Sequence, residues 1–231
     1  MRGFFAFAVA LMLLTNAAAA SVRSPKDPTL RARPADVALA KQLLIRLSDL
    51  PAGFTDKGLD RSGDSNSNFS CPGVTQPDLH RLILTADVNS HQFQRESATT
   101  GFSQISSEAS LFRSASDAYA SVEWIVRLPT STMQRCLAAV ARAGLPKSAR
   151  PAIHVTTARR RIGDLRIFTW EIRAVVRNGA VRLPIDVTLG GYLRGRAAIM
   201  LTITTAGPPP DLTLIRSLAQ TTASRLEHAR L

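Results

Sequence analysis

The sequence predicts an α+β fold in which one antiparallel β-sheet is flanked by helices. Segments of the C-terminal half alternate apolar and polar residues with a period of two, as strands with one buried face do. Elsewhere apolar residues recur at steps of three and four, which is typical of amphipathic helices. The order of these patterns is helix, strands, helices, strands, helix, without the strand and helix alternation of a parallel sheet.

The first 20 residues have the organisation of a cleaved secretory signal peptide. Arg2 supplies a positive start, Phe4 to Leu14 are uninterrupted apolar residues, and small residues precede Ser21. The apolar run is well short of the roughly 20 residues that span a bilayer, so a retained membrane helix is the weaker alternative. The residue after the expected cleavage point is Ser21 and not a cysteine, so we do not expect a lipid anchor. We therefore expect a secreted or cell-envelope-associated protein with no transmembrane helix in the mature chain.

Residues 21–33 contain two prolines and several basic residues, and they predict a flexible lead-in to one α+β domain over residues 34–231. The domain begins with a helix whose apolar stripe runs from Val37 to Leu47 and which ends at the motif DLPAGF, residues 49–54. An exposed loop to Cys71 follows, and then a short helix near Leu79 and Ile83. Two strands are predicted at 86–98 and 102–112.

Two helices follow these strands. The first begins at Ser114, because a serine oxygen accepts from an orphan amide and Asp117 favours the helix dipole. The second follows Pro129, contains Cys136 and ends at Gly144.

The C-terminal half predicts a three-stranded antiparallel meander. Its strands cover Phe168 to Val176, Val181 to Leu189 and Ala197 to Ile203, with hairpin turns at Asn178-Gly179 and Arg194-Gly195. Gly190-Gly191 suggests a bend or bulge in the middle strand. A closing helix from Leu212 to Leu226, after three prolines, supplies the cover that one-sided strands require.

The chain is strongly basic, with 29 Lys+Arg against 17 Asp+Glu and a formal net charge of +12. Cleavage of the signal peptide removes one charged residue, Arg2, so the positive charge belongs to the exported domain. A GC-rich coding sequence explains an arginine bias without any ligand, and attraction to an anionic envelope component is the functional alternative. The densest cluster is Arg159, Arg160 and Arg161, with Arg166 nearby. It lacks the interleaved aromatics of a single-strand binding groove, so nucleic acid is the weaker partner.

Export also bears on the cysteines. Cys71 and Cys136 are the only two, and in an oxidising compartment they most simply form one disulfide. They lack the nearby histidines of a metal site, and the sequence predicts no cofactor.

No familiar catalytic motif is present. The sequence has no Gly-x-Ser-x-Gly elbow, no phosphate-cradling glycine loop and no histidine pair at metal-binding spacing. Asp164, Glu171 and Asp186 are candidates for acid-base work in a cleft, but solvated strand and turn positions explain them more simply. We therefore expect a protein that is not an enzyme.

Several short motifs occur in a recognisable order. They are DLPAGF at 49–54, Cys71, SEASLFRSASDAYASVEWI at 107–125, Cys136, Ile162-Gly163-Asp164, the meander, and a last helix with Arg225-Leu226. This order resembles the exported sensor-type domains of high-GC Gram-positive bacteria: the PknH-like extracellular domain and the LpqN-type lipoproteins with a PsbP-like fold. The resemblance implies an antiparallel sheet flanked by helices and recognition of a ligand or partner at the envelope. A single disulfide, and no lipobox or kinase portion, set this chain apart, so anchoring and direct signalling are not implied.

The combined expectation is a secreted, non-catalytic, sensor-like domain that binds an envelope ligand or protein, with an anionic ligand as one option. The candidate ligand-binding residues are Arg159, Arg160, Arg161, Arg166, Trp170 and Tyr192. Two alternatives stay open: a secreted hydrolase with an unrecognised active site, and a basic protein that binds anionic envelope polymers.

Overall fold

A computed structural model describes residues 26–58, 74–75, 77–97, 101–144, 150–178, 181–207 and 211–231. The predicted signal peptide, the start of the lead-in, Cys71, Gly179 and the three prolines at 208–210 lie outside these residues. The strands are β1 (Thr29–Leu30), β2 (Thr55–Asp56), β3 (Ile83–Asn89), β4 (Phe93–Ser97), β5 (Gly101–Phe112), β6 (Arg150–Ile162), β7 (Leu165–Asn178), β8 (Val181–Arg194) and β9 (Ala197–Ala206). The helices are α1 (Pro34–Leu43), α2 (Ala115–Val126), α3 (Thr130–Gly144) and α4 (Leu212–His228), with a short 3₁₀ turn at Leu47–Asp49.

The predicted α+β class is confirmed. One mixed, mostly antiparallel sheet has the order β1-β3-β5-β9-β8-β7-β6, and β4 pairs with both β2 and β5. Only the short β1–β3 contact is parallel. The long strand β5 therefore has β9 on one edge and β3 and β4 in succession on the other, which joins the two halves of the chain.

The two faces of the sheet are covered by different pairs of helices. We call the face under α1 and α4 the first face: Ile105, Tyr192 and Ile199 pack there against α1 and α4 residues such as Leu43 and Leu218. The opposite, second face lies under α2 and α3, where Val155, Phe168 and Trp170 pack against residues that include Ile125, Met133 and Leu137. Strand alternation explains this arrangement, since successive side chains point to opposite faces.

Local side-chain features explain where three of the helices begin. Pro34 stands in the first turn of α1, where its missing N–H is no loss. At the start of α2 the Ser114 hydroxyl accepts from the Asp117 N–H at 3.1 Å, as predicted. At the start of α4 the Asp211 carboxylate accepts from the amides of Thr213 and Leu214 at 3.0 and 3.1 Å.

The N-terminal half corrects three details of the sequence prediction. The short helix near Leu79 and Ile83 is wrong, because Ile83 begins β3 and Leu84 and Ala86 are buried in the sheet. The strand predicted at 86–98 is two strands, since the chain turns at residues 90–92 between β3 and β4. Thr29–Leu30 pairs with β3, so part of the predicted lead-in belongs to the sheet.

The meander has four strands instead of three. β6 was not predicted, because it is the outermost strand of the described sheet and its residues from Thr156 to Ile162 are all exposed. Such a strand has no need of a buried apolar side at every second position, so the periodicity that revealed β7, β8 and β9 is missing there.

The predicted bulge at Gly190-Gly191 is wrong, because β8 keeps an uninterrupted register with β7 and β9. Gly191 is instead required by a neighbouring ring, and Gly190 lies close to another. A Cβ on Gly191 would lie 1.7 Å from Phe168 Cε2, and a Cβ on Gly190 would lie 3.1 Å from the Tyr192 ring. The irregularity in this sheet is between Leu84 and Ala86 of β3.

Candidate binding surfaces

The structure does not bring the six predicted ligand-binding residues together. The registers of β6, β7 and β8 place Arg159, Arg161, Arg166 and Trp170 on the second face. Arg160 and Tyr192 lie on the first face. These residues therefore do not surround one concavity.

Both aromatic candidates are part of the core. Trp170 is 5% exposed and packs edge-on against Phe168, with ring centroids 5.0 Å apart. Tyr192 is 4% exposed, and burial raises the pKa of its hydroxyl to about 12. Their positions favour a packing role over contact with a ligand.

Three of the four predicted arginines support neighbouring elements. Arg159 donates to the Val126 carbonyl at the C-terminal end of α2, where a cation also complements the helix dipole. The Arg166 guanidinium lies 4.2 Å from the centroid of the Tyr119 ring, and Arg161 Nε donates to the Gly163 carbonyl at 3.0 Å. The Arg160 side chain is exposed and forms no hydrogen bond or ion pair within the described part of the chain.

Arginines outside the predicted ligand-binding set hold the helices on the first face. Arg196 forms a two-point ion pair with Asp36 of α1, at 2.6 and 2.9 Å. Arg225 of α4 donates to the Leu44 carbonyl at 2.6 Å and to Asp49 at 2.8 Å. Arg194 donates to the carbonyls of Leu226 and Glu227 at the end of α4. Part of the arginine content therefore has a structural use.

The acids and histidines considered for chemistry lie in separate surface pairs. Asp164 accepts from Arg194 at 2.9 Å, Asp186 accepts from Arg173 at 2.8 Å, and Glu171 lies 3.3 Å from Thr156 Oγ1. His80 lies 2.5 Å from Asp78 and His91 lies 2.7 Å from Asp56, pairs that lower the pKa of each aspartate. Among the described residues, no group of three or more metal-binding side chains is arranged to hold an ion.

Cys136 is fully buried on α3 and is not a free thiol. Its predicted partner, Cys71, lies outside the described residues. The pairing of the two therefore stays a prediction.

An exposed basic feature lies at the outer edge of β6. Within the described sheet this strand is bordered only by β7, and its sequence RPAIHVTTARRRI contains four arginines and no acid. The arginine cluster was recognisable in the sequence, but the strand that carries it was not. The missing signal was the strand edge, which appears only when the sheet order is known.

Comparison with known proteins gives structural matches only. No protein-family model and no curated protein matches the chain. The extracellular domain of PknH from Mycobacterium tuberculosis matches at a TM-score of 0.35 and 7% identity, over 63% of this chain and 66% of that domain, just under two thirds of its length. An uncharacterized protein from Mycobacterium smegmatis, the Rv0999 ortholog, matches at a TM-score of 0.35 and 12% identity, over 81% of this chain and 82% of that one.

The resemblance to a PknH-like extracellular domain is thus confirmed as a structural match. At this TM-score and identity the matches assign neither a family nor a function. In the ranges that the structure describes, no helix has the length and apolar character needed to cross a bilayer.

Proposed function

We propose that the chain is an exported, non-catalytic, sensor-like domain that binds an acidic extended segment of another protein along the outer edge of β6. Export is inferred from the leader-like residues 1–20, and the non-catalytic role is supported by the ion pairs that engage Asp164 and Asp186. The observation that carries the proposal is the exposed, basic and unpaired edge of β6. Such an edge can accept one more strand through main-chain hydrogen bonds.

The register shows which backbone groups point outward. Ile162 pairs with Leu165 around the two-residue turn Gly163-Asp164, so alternate residues of β6 direct their N–H and C=O groups to β7. Residues 153, 155, 157, 159 and 161 direct theirs away from the sheet. The Ile153 carbonyl agrees with this, since it accepts from Gln134 Nε2 of α3 at 2.8 Å.

The outward groups from Thr157 to Arg161 form no hydrogen bond with other residues of the described ranges, and these residues are exposed, whereas Val155 is buried. This open stretch is about as long as a typical strand. Pro151 belongs to the same alternating set, so the N–H that proline lacks would point away from β7 and the β6–β7 ladder stays intact.

Charge selects the partner. A second copy of β6 would bring Arg159, Arg160 and Arg161 close to the same three residues, and like charges on paired strands repel. Charged edges of this kind are a common defence against self-association. A strand that carries Asp or Glu would instead be attracted on both faces, because Arg160 and Arg161 project to opposite sides.

We expect a labelled extended peptide with alternating Asp and Thr to bind, as measured by fluorescence anisotropy. Thr157→Pro removes one outward N–H and keeps the inner ladder, so it should weaken binding about tenfold or more. The matched control, Thr157→Ala, should bind as the unmodified domain does.

A second pair of variants separates the local charge from the net charge. Arg160→Glu should weaken binding by about fivefold or more, whereas Arg216→Glu, the same change on the exposed side of α4, should have little effect. Equal binding by the Thr157→Pro and Thr157→Ala variants would rule out strand addition. Equal losses in the two charge variants would favour a diffuse attraction to anionic polymers instead.

A further inference from the structure

Three polar side chains form a row on the first face, beside the core under α1 and α4. Arg95 of β4 is directly opposite Ser103 of β5, and Ser103 is opposite Thr205 of β9. Side chains opposite one another on adjacent strands have Cβ atoms about 5 Å apart. The three therefore occupy neighbouring positions, although they are far apart in sequence.

Ser103 and Thr205 are buried, Arg95 is half-buried, and the side chains of the row form no hydrogen bond within the described residues. Ser103 is 6% and Thr205 is 8% exposed. Thr205 Oγ1 and Arg95 Nε are fully enclosed, and neither has a hydrogen-bond partner among the described residues. Buried polar groups are satisfied in the great majority of proteins, so two such atoms in one row call for an explanation.

Among the described residues, no carboxylate forms an ion pair with Arg95. Glu96, the next residue, projects to the opposite face of the sheet. Asp186 is next after Thr205 in the same row, and its carboxylate accepts from Arg173 Nε at 2.8 Å. Within the described part of the chain Arg95 takes part in no ion pair.

The turn after α1 holds the Arg95 side chain in place. The guanidinium carbon lies 4.7 Å from the centroid of the Phe54 ring, an attractive cation–π arrangement. Gly53 has φ +98°, and a Cβ there would lie 3.4 Å from Arg95 Cδ. The end of the DLPAGF motif thus positions an arginine through its stem and ring contact, without taking up its N–H donors.

We propose that Arg95, Ser103 and Thr205 form a binding site for an oxyanion, either a small anion or the carboxylate or phosphate group of a larger ligand. A guanidinium presents several N–H donors in one plane, which suits such oxygens, and the two hydroxyls add donors on the adjacent strands. An anion would compensate the cation and give the Thr205 hydroxyl an acceptor. The site lies on the first face at the β4–β5–β9 junction, independent of the β6 edge.

The site is tested by titration of the whole domain with sodium phosphate and, separately, sodium acetate, at constant ionic strength maintained with sodium chloride. We expect saturable chemical-shift changes at the Arg95 Nε–H and at the amides of Ser103 and Thr205 in the ¹H–¹⁵N spectrum. The two titrations distinguish a tetrahedral anion from a carboxylate. Equal, linear changes in phosphate, acetate and chloride would contradict the proposal.

Arg95→Met keeps an apolar stem on Phe54 and removes the guanidinium, so it should weaken anion binding by about tenfold or more. Thr205→Val should weaken it by a smaller factor. Arg216→Met, which removes an exposed arginine from α4 above the same face, is the matched control and should leave the dissociation constant unchanged.

The Thr205→Val variant also tests, in the absence of an anion, whether the enclosed Thr205 hydroxyl lacks a hydrogen-bond partner. Thr205→Val removes an enclosed hydroxyl with no partner, so the melting temperature in anion-free buffer should stay the same or rise. A clear fall would show that the hydroxyl is already satisfied and would overturn the assignment. Anion binding that persists unchanged in Arg95→Met would overturn it as well.

Discussion

At the scale of single residues, the structure assigns different roles to arginines that the sequence presents as one group. Arg196 pairs with a buried aspartate, and Arg194 donates hydrogen bonds to helix carbonyls. Arg95 is half-buried and its enclosed Nε has no partner among the described residues, whereas Arg160 is exposed to solvent. Sequence spacing could not distinguish them, because the environment of each arginine is set by strand register and by helices from distant parts of the chain.

The Asp36–Arg196 pair predicts a specific loss of stability on mutation. Asp36 is 7% exposed and Arg196 also reaches Thr85 Oγ1 and the Phe112 carbonyl, each at 3.3 Å. Asp36→Ala leaves a partly buried cation unpaired, so the free energy of unfolding should fall by about 3 kcal/mol. Urea denaturation measures this, and the double variant Asp36→Ala/Arg196→Met should recover part of the loss.

The same pair predicts the direction of a pH effect. Hydrogen bonds from Arg196 are the main cause that lowers the pKa of Asp36 in the folded state. In the unfolded chain the Asp36 carboxylate therefore binds its proton at a higher pH, about 3.9. The stabilisation is complete above that pH and is lost as the pH falls through the folded-state pKa. In acid titrations of stability, the Asp36→Asn variant should lack this contribution.

At the scale of elements, how well each strand could be predicted depended on its burial. Apolar and polar residues alternate clearly along β7, β8 and β9, and all three were predicted. β6 was missed because an exposed edge strand needs no apolar alternation. Leu79 and Ile83 suggested a helix, because a short apolar segment has no clear period until its strand partner is known.

The end of α4 offers a test of one such long-range contact. Arg194 donates to the Leu226 carbonyl at 3.0 Å, to the Glu227 carbonyl at 2.8 Å and to Asp164 at 2.9 Å. Arg194→Met removes the cation from these C-terminal carbonyls and should lower the free energy of unfolding by about 1 to 2 kcal/mol. Hydrogen exchange should show faster opening of the last turn of α4. Unchanged exchange there would show that the contact contributes nothing to the helix.

At the scale of the whole molecule, the candidate sites depend on the sheet order. The resemblance and the predicted elements gave the α+β class, yet Arg95, Ser103 and Thr205 become neighbours only through β4–β5–β9 pairing. The exposed β6 edge likewise depends on which strand is outermost. Local patterns in a sequence carry little information about such order, since it is decided by packing of the complete chain.

The predicted Cys71–Cys136 disulfide also acts on the whole molecule. It would close a loop of 65 positions, and on the chain-entropy model such a loop contributes about 4 kcal/mol. Intact mass should rise by about 2 Da on reduction, and the reduced protein should melt at lower temperature. Two thiols that react with iodoacetamide in the unreduced exported protein would contradict the pairing.

The pairing of β5 with β9 also has a consequence for how the chain folds. Leu111 pairs with Ala197, and Phe102 pairs with Ala206, so the central ladder of the sheet joins segments from opposite halves of the sequence. α1 and α4, the first and last helices of the fold, also share one core. Pairings of this kind form slowly, because loop-closure entropy must be overcome before the contacts stabilise anything. Until the last strand and helix have left the ribosome, β5 lacks its partner β9 and α1 lacks its partner α4, so the nascent chain has no complete sheet to fold into.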